Sequence, residues 1–252
     1  MSQAIPFHNK EIECLERKRL EDFQLNQLQK SVDQALKTQF YQHRLKKIGI
    51  KSGKDIKSLK DLHKIPFTVK DDLHDCYPNG LLATEMKDVV RIHTSSGTTG
   101  IPTVIYHTQN DLNNWTDLLV RSMTACGVTN TDVFQNMMTY GMFTGGLGFH
   151  YGAEKLGCLV IPSGSGNTLR QLQLMKDFKT TVIHATPSYM FHLTGKIKEE
   201  GFSLKDLSLK KVFLGAEPYS ENTRLKIQDA FQIDAYNSYG LSEMNGPGVA
   251  FE

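Results

Sequence analysis

The sequence predicts an α/β protein, with largely parallel sheets flanked by helices and preceded by an amino-terminal helical region. From residue 88 onward, short β-rich runs alternate with longer runs of helical spacing, the rhythm of a parallel sheet covered on both faces. Between Lys10 and Leu45 there is neither proline nor glycine, and apolar residues recur at helical intervals. Glycine-rich turns follow several β-rich runs, at the strand ends where α/β sheets receive their ligands.

Taken in order, Leu15, Leu20, Phe23, Leu25, Leu28, Val32, Leu36 and Phe40 define one or two amphipathic helices with a charged outer face. Residues 46–88 are charged and broken. Here Ile65-Pro-Phe-Thr-Val-Lys-Asp places Pro66 in a turn and Thr68 at a helix start, with Asp71 three positions on. This stretch reads as a connector, giving a helical region and connector over 1–87 and an α/β portion over 88–252. Strands are predicted at Val89–His93, Thr103–Tyr106, Asp132–Asn136, Cys158–Pro162, Thr181–His184, Lys211–Leu214 and Ile233–Tyr236. Helices are predicted at Asp111–Ala125, Leu147–Leu156, Leu169–Phe178, Ser188–Glu200 and Ser220–Phe231.

Composition narrows the function. The 252 residues are 39% hydrophobic and 22% charged, with a net charge of +2, which is ordinary globular composition. Such a balance favours neither nucleic acid nor a membrane surface as partner. Cys14, Cys76, Cys126 and Cys158 form no C-x-x-C pair, so neither a zinc site nor a disulfide framework is expected. No apolar run approaches the ~20 residues that span a bilayer, and the first residues lack the pattern of a signal peptide. A cytoplasmic location is the expectation.

The strongest local signal is Thr94-Ser-Ser-Gly-Thr-Thr-Gly-Ile-Pro102, directly after a predicted strand. Glycines let the backbone turn sharply and expose its N–H groups, and the hydroxyls of Ser95, Ser96, Thr98 and Thr99 add donors. Such a loop can wrap a polyphosphate. No lysine follows Gly100, so it is not the loop of P-loop kinases and GTPases. Gly164-Ser-Gly-Asn likewise fails as a dinucleotide fingerprint, because residue 169 is Leu.

S-S-G-T-T-G-x-P resembles the phosphate-binding signature of the adenylate-forming, AMP-binding superfamily. Further segments stand in the order that superfamily requires. Phe213-Leu-Gly-Ala-Glu-Pro218 resembles its adenine-wall segment, and Tyr239-Gly-Leu-Ser-Glu243 its aromatic–Gly–x–Thr/Ser–Glu segment. Phe143-Thr-Gly-Gly-Leu-Gly-Phe-His-Tyr-Gly-Ala-Glu154, with Asn167-Thr and Thr186-Pro-Ser-Tyr, is similar to the phenylacetate–CoA ligase branch.

This resemblance implies an incomplete adenylate-forming large domain whose cofactors are ATP, Mg²⁺ and coenzyme A. It implies that Ser95, Ser96, Gly97, Thr98, Thr99 and Gly100 hold the ATP phosphates, with Thr98 close to the chemistry. Gly215, Ala216, Glu217 and Pro218 would form one wall of the nucleotide slot. Tyr239 would lie on the adenine face, with Asn237 and Ser242 beside it, and Glu243 would be both catalytic and the Mg²⁺ ligand. The acid would be held by Tyr140, Phe143, Gly145, Gly146, Ala216 and Pro247.

Two departures bear on the substrate. Asn237 stands where relatives often carry Asp, keeping an acceptor and adding a donor. Met138 stands where they often carry an aromatic, and a thioether adapts to varied shapes. The expected acid is therefore phenylacetate or a related arylacetate, such as indoleacetate or a hydroxylated ring. Family members also continue well past Gly-Pro-Gly-Val-Ala, with a small carboxy-terminal domain, so the chain reads as the amino-terminal portion. The expected partners are aryl acid, ATP and CoA, with a second copy or a complementary carboxy-terminal chain as protein partner. The competing expectations are an adenylating enzyme with a non-CoA acceptor, and an inactive nucleotide-binding fragment.

Overall fold

The computed structural model describes residues 6–95, 100, 102–244 and 246–251, and for 247–250 the backbone alone. The chain packs as two compact units, Asn9–Gln109 and one built on Asn110–Glu252. In the first unit, α1 (Lys10–Glu13), α2 (Arg17–Ala35) and α3 (Gln39–Lys47) replace the one or two helices predicted. The break before α3 has a side-chain cause: Thr38 is buried, and its hydroxyl accepts from the Tyr41 N–H at 3.3 Å, capping the new helix. Val32, Leu45, Ile50 and Ile56 form the unit's small core.

Residues 48–88 are indeed broken, with short 3₁₀ turns and α4 (Lys70–Asp75). The helix begins at Val69, whose N–H donates to Asp72 at 2.9 Å, so the start falls one residue beyond Thr68. Strands β1 (Val89–Thr94) and β2 (Val104–Thr108) form an antiparallel hairpin of their own within this unit.

The second unit follows the predicted alternation closely. Helix α5 (Gln109–Ala125) leads into β3 (Val133–Asn136), α6 (Gly145–Leu156), β4 (Leu159–Ile161), α7 (Thr168–Asp177) and β5 (Val182–Ala185). Then come α8 (Pro187–Glu199), β6 (Lys211–Leu214), α9 (Glu221–Phe231), β7 (Asp234–Leu241) and β8 (Gly246–Phe251). The sheet order is β4-β3-β5-β6-β7-β8, parallel through β7 and antiparallel at β8.

The two-residue period of a strand sends alternate side chains into two cores. Phe134, Val182 and Phe213 pack toward α5 and α6, with Trp115, Leu119, Met123 and Phe149. Ile183, Val212 and Leu214 pack toward α7, α8 and α9, with Leu172, Met190, Leu193 and Ile227. Burial on both faces explains why these strands read as continuous apolar runs.

Helices α5 and α6 approach so closely that Gly148 and Gly152 serve as contact points. A methyl at Gly148 would fall 2.4 Å from Trp115 Cζ2, and one at Gly152 would fall 2.7 Å from Leu119 Cβ. Gly148→Ala gains up to ~1 kcal/mol of helix propensity but must displace a buried indole. A net loss of about 1–3 kcal/mol is expected, read as a lower midpoint in chemical denaturation. A midpoint equal to wild type would mean that Trp115 has room to move.

Candidate active site

The carboxyl ends of the parallel strands place most of the marked residues. At the end of β3, Asn136 is buried and serves both sides of the loop that follows. Its Nδ2 donates to the Gly146 carbonyl at 2.6 Å, and its Oδ1 accepts from the Met138 N–H at 3.3 Å. Its own carbonyl accepts from Gly164 N–H at 3.0 Å and Ser163 Oγ at 2.9 Å. One side chain thus fixes where residues 137–144 leave the sheet and where α6 begins. A Cβ at Gly146 would meet the Thr139 carbonyl at 2.5 Å, so glycine is needed there for the chain to pass.

Met138, Phe143 and Gly145 from this segment meet His184 at the end of β5, Ala216 just after β6, and Ser238 and Gly240 on β7. Together they line a recess of about 20 Å³. Of the acid-binding candidates, Phe143, Gly145 and Ala216 are therefore brought together. Tyr140 is not among the lining residues; its hydroxyl lies 3.2 Å from His150 Nδ1, and His150 Nε2 lies 3.0 Å from Glu154. Burial pushes the Tyr140 phenol up to about 12, so it stays protonated. His150 is thus a structural hydrogen-bonder between two side chains. Pro247 lies in β8, and its side chain is outside the described residues.

Met138 also borders a neighbouring cavity of about 170 Å³, lined by Met137, Thr139, Ser165, Gly166, Thr186 and Tyr189. The other resemblance motifs serve as helix starts beside it. Asn167, in a left-handed conformation at φ 42°, accepts from Arg170 N–H at 3.1 Å and caps α7. Thr186 accepts from Tyr189 N–H at 3.2 Å, with Pro187 in the first turn of α8. A larger open depression of about 500 Å³ in the first unit is lined by residues such as Phe40, His43, Arg44 and Cys76. None of the marked motifs contributes to it.

The candidate adenine wall is held firmly. Gly215 sits against β7, where an added Cβ would fall 2.9 Å from the Ser238 carbonyl. Ala216 adopts φ +67°, a left-handed conformation that costs a non-glycine residue roughly 1–2 kcal/mol. Strain of this kind collects at functional sites. The Glu217 carboxylate accepts from Ser188 N–H at 2.6 Å and Ser188 Oγ at 3.0 Å, tying the segment to the first turn of α8. Asn237 pairs in register with Leu214.

Tyr239 is 56% exposed on β7, so its ring face is open to a flat partner. Ser242 is buried in the 3₁₀ turn Ser242–Met244, its Oγ without a hydrogen-bond partner among the described residues, and Glu243 is exposed on the same turn. Among the described residues no group of three His, Cys, Asp or Glu could hold a metal by protein ligands alone. A single carboxylate completed by phosphate oxygens and water is how Mg²⁺ is usually held, and Glu243 fits that donor set.

Of the phosphate-loop candidates, Ser96, Gly97, Thr98 and Thr99 lie outside the described residues. Ser95 N–H donates to the Thr103 carbonyl at 3.0 Å, and Ser95 Oγ accepts from Thr103 N–H at 3.0 Å, joining the loop's two ends. Gly100 has φ +102° with open space around it, a conformation that glycine permits.

His184 and Ser238 line the recess but lie outside the motifs, whereas Met138 and Gly240 were quoted in the sequence without a site role. The position of His184 at a strand's carboxyl end was the signal that could have found it. Its imidazole is buried, lies tilted with its centroid 3.8 Å from that of the Phe149 ring, and leaves Nδ1 without a hydrogen-bond partner among the described residues. Burial alone pushes its pKa down to about 3, so it is neutral at ordinary pH.

Residues 21–251 match the family described as AMP-binding enzyme. A phenylacetate-coenzyme A ligase of Pseudomonas putida is 49% identical over 198 residues, 79% of this chain and 45% of that protein. One of Thermus thermophilus is 42% identical over 243 residues, 96% of this chain and 54% of its own length. The chain thus spans about half the length of the curated relatives it matches. Among solved structures, an open conformation of 2-hydroxyisobutyryl-CoA ligase in complex with 2-HIB-AMP and CoA gives a TM-score of 0.83 at 23% identity. The match covers 91% of this chain and 52% of that one, and at that identity it shows the fold alone. No described helix is long and apolar enough to cross a membrane.

Proposed function

Because the chain belongs to the family of AMP-binding enzymes, we propose that it carries the nucleotide- and acid-binding part of an ATP-dependent aryl-acid ligase. The reaction joins an arylacetate to AMP and then transfers the acyl group to coenzyme A. The observation that carries this reading is the recess, where Met138, Phe143 and Gly145 meet Ala216 of the wall segment and Ser238 and Gly240 of β7. A site that activates an acid on a nucleotide needs its acid-binding and adenine-binding residues side by side.

A carboxylate is a poor acyl donor because oxide would have to leave. Attack of its oxygen on the α-phosphorus of ATP expels pyrophosphate and gives a mixed anhydride. A thiol then attacks the carbonyl carbon and AMP departs. Positioning and charge neutralisation supply most of the rate in such a scheme. The segment 215–218 and the open Tyr239 ring sandwich the adenine. Phe143, Gly145 and Ala216 receive the acid, and the loop 95–100, with Thr98, has the phosphate-binding role that its resemblance implies. Glu243 would ligate Mg²⁺, which when bound neutralises the phosphate charge.

The test uses non-hydrolysable arylacetyl-sulfamoyl-adenosines, which mimic the acyl-adenylate. At least one is expected to bind the chain about tenfold or more tighter than AMP in calorimetry, since an intermediate mimic gathers both sets of contacts. If none binds better than AMP, the acid-activating reading fails. Mass spectrometry after incubation with ATP, an arylacetate and CoA tests the acceptor, with an arylacetyl-CoA thioester as the expected product.

A further inference from the structure

We infer that Ser188 and Glu217 are positioning residues for the nucleotide: they hold Ala216 in its left-handed turn and so set nucleotide affinity without touching the nucleotide. This rests on the reading of 215–218 as the adenine wall and goes beyond it. It takes the Glu217 side chain off the ligand and gives Ser188, on α8, a share in the site. Both oxygens of the Glu217 carboxylate are taken up by that one residue. Oε1 accepts from Ser188 N–H at 2.6 Å, and Oε2 accepts from Ser188 Oγ at 3.0 Å. Hydrogen bonds to an ionised acceptor are roughly twice as strong as neutral ones, and the start of α8 adds the positive end of a helix dipole.

The backbone on either side of Ala216 is fixed. Before it, Gly215 is buried so close to β7 that a Cβ there would fall 2.9 Å from the Ser238 carbonyl. After it, Pro218 biases Glu217 toward extended backbone, and the carboxylate ties Glu217 to α8. Between these two points Ala216 stands at φ +67°, lining the recess. A non-glycine residue disfavours that conformation and leaves it when nothing holds it there. With the tie to Ser188 cut, the turn should populate other conformations, and the apparent affinity for a ligand of the held form falls by the fraction still held.

The plainer role for the same two bonds is to support the start of α8. That end already has its own cap, Thr186 Oγ1 accepting from Tyr189 N–H at 3.2 Å, and Pro187 in the first turn. Support of the helix alone shows as a change in stability and leaves nucleotide affinity where it was. Positioning of Ala216 shows in affinity, and it responds to what residue stands at 216.

The experiment measures AMP binding to the chain by calorimetry, with chemical denaturation of each variant alongside. Glu217→Ala is expected to weaken AMP binding about tenfold, and Ser188→Ala about threefold, since the Ser188 N–H still reaches the carboxylate. Ser188→Thr, which keeps the hydroxyl, should bind as wild type does. The Ser188→Ala, Glu217→Ala double variant should bind like Glu217→Ala alone, because Ser188 acts only through that carboxylate. Adding Ala216→Gly to Glu217→Ala should recover about threefold, because glycine takes a positive φ at no steric cost. Wild-type affinity in folded Ser188→Ala or Glu217→Ala overturns the inference. Losses that multiply in the double variant overturn it too, since they mean independent roles, as does a Glu217→Ala loss that Ala216→Gly leaves untouched. If the wild-type chain binds no AMP, the adenine-wall reading itself falls, and the inference with it.

Discussion

Phe149→Ala is expected to lower the unfolding free energy by about 3–5 kcal/mol, the range for emptying a well-packed aromatic site. Phe149 is fully buried on α6. Its ring centroid lies 6.3 Å from Phe134, 5.4 Å from Phe213 and 5.7 Å from Phe251, and the His184 ring covers it at 3.8 Å. Elements from β3, β5, β6 and β8 therefore lose packing at once, and such a web has little freedom to collapse into the gap. Native domains hold only ~5–15 kcal/mol in total, so the variant should melt far below wild type. Phe191→Ala is the control, since Phe191 is 43% exposed on α8 and its loss should stay near 0.5 kcal/mol. A Phe149→Ala loss below about 1 kcal/mol would mean that the cluster is looser than its distances imply.

The second large effect concerns Mg·ATP. Glu243→Ala is expected to weaken its binding by about tenfold or more, a factor that a single ionic contact readily supplies. Glu243 stands exposed on the turn after β7, on the same stretch of chain as Tyr239. No cluster of three acidic, His or Cys side chains exists among the described residues to take over the cation. The control is internal. With metal chelated, wild type and variant should bind ATP alike, because Glu243 then has no cation to meet. Equal Mg·ATP affinity for the two proteins would remove Glu243 from the site.

Much of the second unit was legible because its strands are buried on both faces and its helices carry their own start signals. Val182-Ile-His-Ala and Lys211-Val-Phe-Leu read as strands for that reason, and Ser220 and Thr186 mark helix starts by capping Thr223 and Tyr189. Strand β8 was not legible. Gly246-Pro-Gly reads as a turn, and its extended form comes from pairing with β7, Leu241 opposite Gly246 and Ser238 opposite Phe251. The antiparallel hairpin of β1 and β2 was hidden likewise, since each strand alone looks the same in either kind of sheet.

The recess was legible where a motif supplied its residues. Phe143, Gly145 and Ala216 were marked by resemblance, and they meet in the recess. His184, Ser238 and Gly240 join them only because β5, β6 and β7 are neighbours, and strand order is not written in local sequence. Tyr140 had the right residue type for the pocket, yet its hydroxyl found a partner in His150, on the helix that follows. Glu217 shows the same lesson in reverse. Its place in the wall segment was visible, but its grip on Ser188 depends on how α8 is set beside β6.

That grip has a consequence for how ligands would enter. With Glu217 anchored and Ala216 already in its left-handed turn, the proposed base-facing side is set before a ligand arrives and gives up little freedom when filled. The proposed acid-facing side rests on residues 137–144, which lack regular secondary structure and are free to adapt. Changes of nucleotide should therefore be felt as loss or retention of fit, whereas changes of acid should be met by adaptation.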